Sequence, residues 1–257
     1  MTPAEFHAAH PEAFLLDAAN LTALASFLTR MGVITPEESV LEAARAGEGN
    51  MNCTVRVRTT RRTLIVKQSR PWVEKYPQFA APWDRALRER DFYLRIAPHA
   101  AIARLMPRLL ACDATARVLV LEDLGSDGDY TDLYQGRALT HSELDTLAGW
   151  LSALHHVAAA DGDGPPLANR EMRALNHAHI FEIPFATENG LDLDLVLPGL
   201  ATVAAPLKAD PALVASVAAL GRDVYLTDGP CLLHGDFFPG SFVRTRLGLR
   251  IIDPEFC

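Results

Sequence analysis

The sequence predicts an α+β protein of two lobes, with an antiparallel β-sheet in the first lobe and mainly helices in the second. Residues 40–67 form a β-rich stretch, in which Cys53–Arg58 alternates apolar with polar residues, the spacing of a strand. After residue 124 a Gly-Ser-Asp-Gly run is followed by apolar residues at helical spacing. These observations predict an N-terminal lobe over residues 1–124 and a C-terminal lobe over residues 125–257.

The elements of the first lobe follow from local patterns. Apolar residues between Asn20 and Val33 recur at helical spacing, and Thr35-Pro36-Glu37-Glu38 resembles the capping box that opens a helix. An antiparallel ribbon should follow, because three β-rich runs are separated by turns. Its predicted strands are Val40–Ala46, Cys53–Arg58 and Thr63–Lys67.

Four further elements are predicted beyond the ribbon. A charged helix should run from Asp84 to about Ile96, and the apolar run Arg117–Leu124 reads as a strand that leads to the lobe boundary. A second capping box at Thr140 should begin a helix with a core stripe formed by Leu144, Leu147, Leu151 and Leu154. Near the end we expect a helix over Pro211–Leu226 and short strands at Cys231–Leu233 and Arg250–Ile252.

Composition restricts the partners of this chain of 257 residues, of which 49% are hydrophobic and 22% charged. The net charge of −8 argues against a nucleic-acid or anionic-membrane surface, which needs clustered Lys and Arg. No secretory signal is visible at the start, and no apolar run approaches the roughly 20 residues that span a bilayer. The scattered cysteines suit reduced thiols, so we expect a cytoplasmic protein.

The turn between the first two predicted strands contains Gly47, Gly49 and Asn50. Glycines let backbone N–H groups approach phosphate oxygens closely, although a plain hairpin turn explains the same residues. Lys67 ends an apolar strand, where it can reach phosphates, and Glu89 on the following helix is its natural partner. A solvated lysine and a solvated helix face are the alternatives for these two residues.

The strongest local signal lies near the C-terminus. His234-Gly235-Asp236 has Ser241 five residues after the aspartate, close to the spacing that kinase catalytic loops use for a base and a metal ligand. An apolar strand then leads to Asp253-Pro254-Glu255, whose two carboxylates suit hard, oxygen-binding cations. Each motif alone reads as an ordinary turn, but their occurrence together in kinase order indicates phosphoryl transfer.

With these motifs, the chain resembles the aminoglycoside phosphotransferase and choline kinase superfamily, of protein-kinase-like fold, and within it most closely the methylthioribose kinases. GEGNMN resembles their Gly-Asp-Gly-Asn-Leu-Asn loop, LIVKQSRPW their strand with the lysine, and DRALRE the start of the next helix. LEDL resembles their hinge, HGDFFPGS their catalytic loop, and IIDPEF their Val-Ile-Asp-Pro-Glu-Phe. The resemblance runs from about residue 40 to the last residue.

The resemblance implies a role for each candidate residue. Asp236 would be the catalytic base, and Mg²⁺ would be held by Ser241, Asp253 and Glu255. Lys67, paired with Glu89, would hold phosphates of ATP, while the backbone at Glu122 and Leu124 would read adenine. The ATP-binding residues would then be Gly47, Gly49, Asn50, Lys67, Glu89, Glu122 and Leu124.

The resulting hypothesis is an ATP-dependent phosphotransferase for a hydroxyl of a small metabolite, with a methylthioribose-like sugar as first choice. Two alternatives stay open, namely a kinase for an amino-alcohol or aminoglycoside, and a nucleotide-binding protein without turnover. The last arises because relatives continue beyond the position of Glu255, which implies a truncated C-terminal lobe. A homodimer is left open, and neither nucleic acid nor a membrane is an expected partner.

Overall fold

The computed structural model describes residues 2–47, 49, 51–125, 127–158, 167–187, 189–190 and 192–257. The chain divides into two compact units, one formed by residues 1–167 with 230–257 and the other by residues 168–229. The predicted lobe boundary after Leu124 lies inside the first unit and stays a prediction. Every predicted site residue belongs to the first unit, so the site is described within it.

The first unit combines strands and helices in an α+β arrangement. Its strands are β1 (Val40–Arg45), β2 (Cys53–Thr59), β3 (Thr63–Gln68), β4 (Trp72–Val73), β5 (Tyr76–Ala80), β6 (Leu109–Asp113), β7 (Val118–Glu122), β8 (Phe242–Thr245) and β9 (Gly248–Ile251). Its helices are α1 (Pro3–Ala9), α2 (Leu21–Arg30), α3 (Arg85–Ile96), α4 (Ala100–Ala103) and α5 (His141–His155), with short 3₁₀ turns at Thr131–Gln135 and Pro239–Ser241.

Five strands form one antiparallel sheet in the order β1-β2-β3-β7-β6, which agrees with the antiparallel sheet predicted for this part of the chain. Successive side chains of a strand point to opposite faces. Val118 and Val120 of β7 therefore join the core under α2, whereas Leu119 and Leu121 join the core that contains α3 and α5. By the same alternation, Lys67 of β3 points away from the α2 core.

A second antiparallel pair, β8 and β9, brings two distant motifs together. Phe242 pairs with Ile251, so the residues just outside this pair become neighbours. The amide of Ile252 donates a hydrogen bond to the carbonyl of Ser241 at 3.0 Å. The loop that carries Asp236 and the segment that begins at Asp253 are thus joined by the strand pair between them.

The second unit consists of helical segments. They are α6 (Arg170–His177), α7 (Leu193–Val196), α8 (Leu200–Ala209) and α9 (Pro211–Leu220), with shorter helical turns at Ala178–Glu182, Ile183–Phe185 and Gly221–Tyr225. Among the described residues, no lone helix has the length and apolar character to cross a bilayer. By those two measures alone, the bent pair Leu200–Ala209 with Pro211–Tyr225, at 84° to each other, would qualify.

Two local predictions were wrong. No helix begins at Thr35, because the chain turns there, with the amide of Glu38 donating to the carbonyl of Thr35 at 2.9 Å, and then enters β1. The Glu38 carboxylate accepts from the hydroxyl of Thr59 on β2 instead of capping a helix. Leu144 is 52% exposed, because the buried face of α5 is formed by Leu147, Trp150 and Leu154.

The strands at Trp72–Val73, Tyr76–Ala80, Leu109–Asp113 and Phe242–Thr245 were missed. The residues of β5 are exposed and those of β6 are all half-buried, so neither strand shows the alternation of burial that marks a strand with one buried face. The segment predicted as a strand at Cys231–Leu233 makes only an isolated bridge, from Cys231 to Ala158. These four segments are strands because each pairs with a neighbouring strand, and the sequence alone does not show which segments pair.

Candidate active site

Lys67 is the centre of a buried group of charges. Its Nζ atom lies 2.7 Å from Oε2 of Glu89, contacts Oδ1 of Asp253, and lies 3.8 Å from Oε2 of Glu255. Burial alone would lower the pKa of Lys67, but the charges of the three carboxylates outweigh it and hold the pKa well above its ordinary value. The structure therefore brings the predicted Lys67–Glu89 pair and the predicted Asp253–Glu255 motif into one place.

Three different elements supply this group. Lys67 belongs to β3, Glu89 lies on α3, and Asp253 follows β9. Asp253 has φ of 70°, the left-handed region that a non-glycine residue rarely adopts. Such backbone strain is typical of functional sites, because the surrounding structure must hold the residue there.

The carboxylates of Glu89, Asp253 and Glu255 could hold a metal ion, since each offers an oxygen and these atoms lie within 4.8 Å of one another. Burial, followed by the charge of Asp253, raises the pKa of Glu255 to about 8. Burial also raises the pKa of Glu89. Burial is the largest cause of both shifts, and it disfavours the charged forms of Glu89 and Glu255 in this enclosed place.

Ser241, predicted as a metal ligand, is buried next to the same loop. Its hydroxyl donates to the backbone carbonyl of Asp236 at 2.8 Å, which ties the two ends of the loop together. Its oxygen keeps lone pairs that a cation can use, so the predicted role is neither required nor removed by this bond. Glu89, by contrast, was predicted as the partner of Lys67 and stands in the carboxylate group as well.

Asp236 is half-buried and is held in place through His234. The Asp236 amide donates to Nδ1 of His234 at 3.3 Å, and Nε2 of His234 lies 3.0 Å from the carbonyl of Ile252. Burial lowers the pKa of His234 to about 4, so the ring is neutral, with its proton on Nε2 to donate to that carbonyl. Burial and then the charge of Asp253 raise the pKa of Asp236 to about 6, despite the opposing charge of Lys67.

Gly235 is required by a close approach of two chain segments. It has φ of +81°, and a Cβ atom at this position would overlap the backbone of Phe256. Only glycine satisfies both conditions. The packing of Gly235 against Phe256 thus fixes the loop with Asp236 relative to the segment with Asp253 and Glu255.

The nucleotide-binding residues predicted in the glycine turn are partly described. Gly47 has φ of +69°, which favours glycine, and the space where a Cβ would stand is open at both Gly47 and Gly49. Asn50 lies outside the described residues. At the predicted hinge, the Glu122 amide is used within the sheet, where it donates to the carbonyl of Arg108 at 2.9 Å, and Leu124 follows the end of β7.

Two residues of the site were missed by sequence reasoning. Arg85, at the start of α3, is 1% exposed, and its Nε donates to Oδ1 of Asn52 at 2.8 Å. The Asn52 amide group in turn donates to Oε2 of Glu255. Both residues lie in motifs that support the family resemblance, DRALRE and GEGNMN. The sequence therefore drew attention to these positions, but no role was predicted for Arg85 or Asn52.

This combination of a five-stranded antiparallel sheet with a buried lysine–carboxylate group is the fold of kinase-like phosphotransferases. The solved structure of LicA in complex with AMP superposes on it with a TM-score of 0.51 and 18% identity, covering 91% of this chain and 67% of that chain. The chain belongs to the phosphotransferase enzyme family, whose sequence pattern matches residues 42–257. The predicted fold class and family resemblance are both confirmed.

Methylthioribose kinases are among the relatives by sequence. That of Escherichia coli is 26% identical over 236 residues, which are 86% of this chain and 54% of the relative. That of Bacillus pumilus is 26% identical over 242 residues, with 88% of this chain and 58% of the relative covered. The chain thus spans about half the length of the curated relatives it matches.

Proposed function

We propose that this protein is an ATP-dependent phosphotransferase that phosphorylates a hydroxyl of a small metabolite. The observation that carries the proposal is the buried group in which Lys67 meets three carboxylates next to the loop of Asp236. Phosphoryl transfer depends mainly on positioning and charge stabilisation, for which a lysine, a cation site and a carboxylate base are the required parts. Family membership and the named relatives support the same reaction class.

The cluster of three carboxylates, Glu89, Asp253 and Glu255, suits Mg²⁺. Its donors are hard oxygens from α3 and from the segment after β9, and a divalent cation would favour the ionised forms of Glu89 and Glu255, whose pKa values are raised by burial. Asp253 and Glu255 would be the main ligands, with Ser241 or Glu89 completing the set. A bound Mg²⁺ would supply positive charge that neutralises the negative charge developing on the phosphate oxygens.

Other residues of the chain would bind the nucleotide. Lys67 would direct its ammonium group to the phosphates while Glu89 keeps it in place. Gly47 and Gly49 would bring backbone amides to the phosphates, and Glu122 and Leu124 would bind adenine through their backbone.

Asp236 would accept the proton of the attacking hydroxyl and hold its oxygen in line with the γ-phosphorus. Its raised pKa of about 6 places it closer to neutral pH than an ordinary aspartate, which improves a general base. The neutral ring of His234 would keep the backbone of the loop at the required position.

For the acceptor, we propose a methylthioribose-like sugar, since methylthioribose kinases are the named relatives by sequence. Phe238, two residues after the proposed base, is 41% exposed and could pack against an acceptor. An aromatic ring binds apolar groups and cationic amines alike, so the named relatives set the order, and amino-alcohols and aminoglycosides are the second choice.

The experiment has two arms. In the first, nucleotide affinity is titrated with and without Mg²⁺, and we expect weak binding without it, because the carboxylates would face the phosphates as like charges. In the second, ATP consumption is screened over sugars, amino-alcohols and aminoglycosides. Equal affinity in both conditions would remove the metal-site assignment, and Mg²⁺-dependent binding without turnover of any acceptor would favour the non-catalytic alternative.

A further inference from the structure

Arg85 is a buried arginine that donates hydrogen bonds to the residues directly after the glycine turn and to carbonyls of the segment between β3 and α3. Its side chain is at the start of α3 and is almost fully enclosed. The acceptors that it reaches are Oδ1 of Asn52 at 2.8 Å and the backbone carbonyls of Met51 at 2.6 Å, Arg70 at 2.6 Å, Pro82 at 2.7 Å and Trp72 at 3.3 Å. Arg85 therefore fixes the residues that come directly after the glycine turn.

Asn52 connects Arg85 to Glu255 through two hydrogen bonds. One end of its amide accepts from Arg85, and the other end donates to the carboxylate of Glu255. A guanidinium only donates, and Glu255 only accepts in the ionised form that a metal ligand must have, so the amide has a single orientation that satisfies both neighbours in the metal-binding state. Leucine, which has a similar shape, offers neither bond, and aspartate could accept from Arg85 but would repel Glu255.

Glu255 needs such a partner because its side chain is 6% exposed and water cannot orient it. Its alternative partner is Lys67, whose Nζ lies 3.8 Å away. Without the bond from Asn52, the carboxylate could turn toward the ammonium group and close an ion pair there. The bond from Asn52 thus competes with the pairing that would take Glu255 out of a metal site.

We propose that Asn52 and Arg85 are positioning residues that hold the Glu255 carboxylate ready for a divalent cation and connect it to the end of the glycine turn. This inference rests on the proposed function, because it treats Glu255 as a metal ligand. It makes the position of the glycine turn and metal binding at Glu255 interdependent, since one buried chain of hydrogen bonds joins them. Partners that orient metal ligands typically change metal affinity by about 10–100-fold when removed.

The test compares Asn52→Leu with Arg70→Lys. Arg70 is a matched control, because its side chain also ties loops of this unit together, through Glu74 at 2.9 Å and the carbonyl of Leu16 at 2.5 Å, without contacting Asn52 or Glu255. The lysine variant keeps the main-chain carbonyl that accepts from Arg85. The affinity of a fluorescent ATP analogue is measured over a series of Mg²⁺ concentrations, alongside the thermal midpoint of each variant. Asn52→Ala, which is smaller, replaces Asn52→Leu if that variant does not fold.

We expect Asn52→Leu to shift the Mg²⁺ concentration needed for half-maximal nucleotide binding upward by about 10–100-fold. Saturating Mg²⁺ should restore the affinity, and Arg70→Lys should leave the midpoint in Mg²⁺ unchanged even where its thermal midpoint falls. Arg85→Lys should act in the same direction as Asn52→Leu, because one ammonium group cannot serve the acceptors of the guanidinium.

The metal site and the role of Asn52 can fail separately. If the wild-type protein binds the analogue equally well at all Mg²⁺ concentrations, the proposed metal site is wrong and this inference is overturned with it. If the wild type depends on Mg²⁺ and the folded Asn52 variants show the same dependence, the inference alone is overturned. A loss of nucleotide affinity that saturating Mg²⁺ does not restore also overturns it, because the defect then lies in folding or in nucleotide contacts.

Discussion

Two groups of charged side chains in the first unit combine cations with carboxylates in different proportions. At Tyr130, the guanidinium groups of Arg137 and Arg244 lie over the ring, 4.8 and 4.2 Å from its centre. Arg244 binds Asp132 through both oxygens at 2.6 and 2.8 Å, and Arg137 reaches Glu143 at 2.6 Å. Two positive charges thus meet two negative ones. At Lys67, three carboxylates surround one ammonium group.

The pKa values of Glu143 and Glu255, one from each group, differ in the direction of their shifts. Although burial would raise the pKa of Glu143, hydrogen bonds from Thr140, Tyr130 and Arg137 outweigh it and lower the pKa to about 2. Glu255 has its pKa raised to about 8 by burial and by Asp253, and Lys67 does not compensate. Charge imbalance in a buried place, more than the number of charges, therefore distinguishes a candidate cation site from a structural ion-pair group.

The largest effect should come from Asp236, next to the unbalanced group. Asp236→Asn keeps the shape of the side chain but removes its charge and basicity, so phosphoryl transfer should fall at least about 100-fold. Mg²⁺-dependent nucleotide affinity should hardly change, because the proposed cation ligands stay in place. Single-turnover rates and nucleotide titration measure the two quantities. Near-full turnover in this variant would falsify the base assignment, and joint loss of binding would assign Asp236 to the metal or the fold.

Lys67→Met should weaken nucleotide affinity and stability together, since it leaves three carboxylates without their cation. Removing one partner of a buried ion pair typically costs about 3–5 kcal/mol of stability. Glu89→Gln should give a milder defect, because Lys67 keeps its contacts with Asp253 and Glu255. Chemical unfolding and nucleotide titration of both variants check this order. A Glu89→Gln protein indistinguishable from the wild type would show that Asp253 and Glu255 hold Lys67 without Glu89.

The two groups should respond to pH in opposite directions. In the folded protein Glu255 keeps its proton up to about pH 8 instead of its ordinary 4.5, so without a divalent cation stability should fall as pH rises between these values. Glu143, with its pKa lowered to about 2, should contribute stability that is lost as pH falls below 4.5. One proton changes the free energy of unfolding by at most about 1.4 kcal/mol per pH unit.

Urea unfolding across this pH range, with chelator and with Mg²⁺, measures the effect of Glu255. Glu255→Gln should flatten the fall in stability between about pH 5 and pH 8, and Mg²⁺ should flatten it in the wild type. An unchanged slope in Glu255→Gln would show that another group, such as Asp236, dominates this range. If Mg²⁺ does not alter the slope of stability against pH in the wild type, the titration of Glu255 is not linked to cation binding. The charge imbalance around Lys67 would then not indicate a cation site.

The smallest effect should come from the balanced group. Tyr130→Phe removes the hydroxyl that donates to Glu143 at 2.8 Å but keeps the ring beneath both arginines. A hydrogen bond of this kind contributes about 1 kcal/mol, and we expect a loss of stability of that size. The Mg²⁺ dependence of nucleotide binding should match the wild type. A change in that dependence would mean that the Tyr130 group also influences the site, and the contrast between the two groups would no longer hold.

Most of the fold was readable from local patterns. Alternation predicted β2, and β-rich or apolar runs predicted β1, β3 and β7. The capping box at Thr140 is present, with the amide of Glu143 donating to its hydroxyl at 3.2 Å. The similar pattern at Thr35 failed, because Thr59 of the neighbouring strand competes for Glu38. Whether such a pattern caps a helix depends on its neighbours in space as much as on its own residues.

For the site, the order of motifs and the pairing of Lys67 with Glu89 came from the sequence alone, because alternation along β3 and the position of the helix restrict where these side chains can point. The chain of bonds from Arg85 through Asn52 to Glu255 joins residues far apart in the sequence, and only tertiary structure brought them together. Periodicity reports which face of an element is buried. It carries no information on which buried polar groups meet, and that was settled when β3, α3 and the segment after β9 packed together.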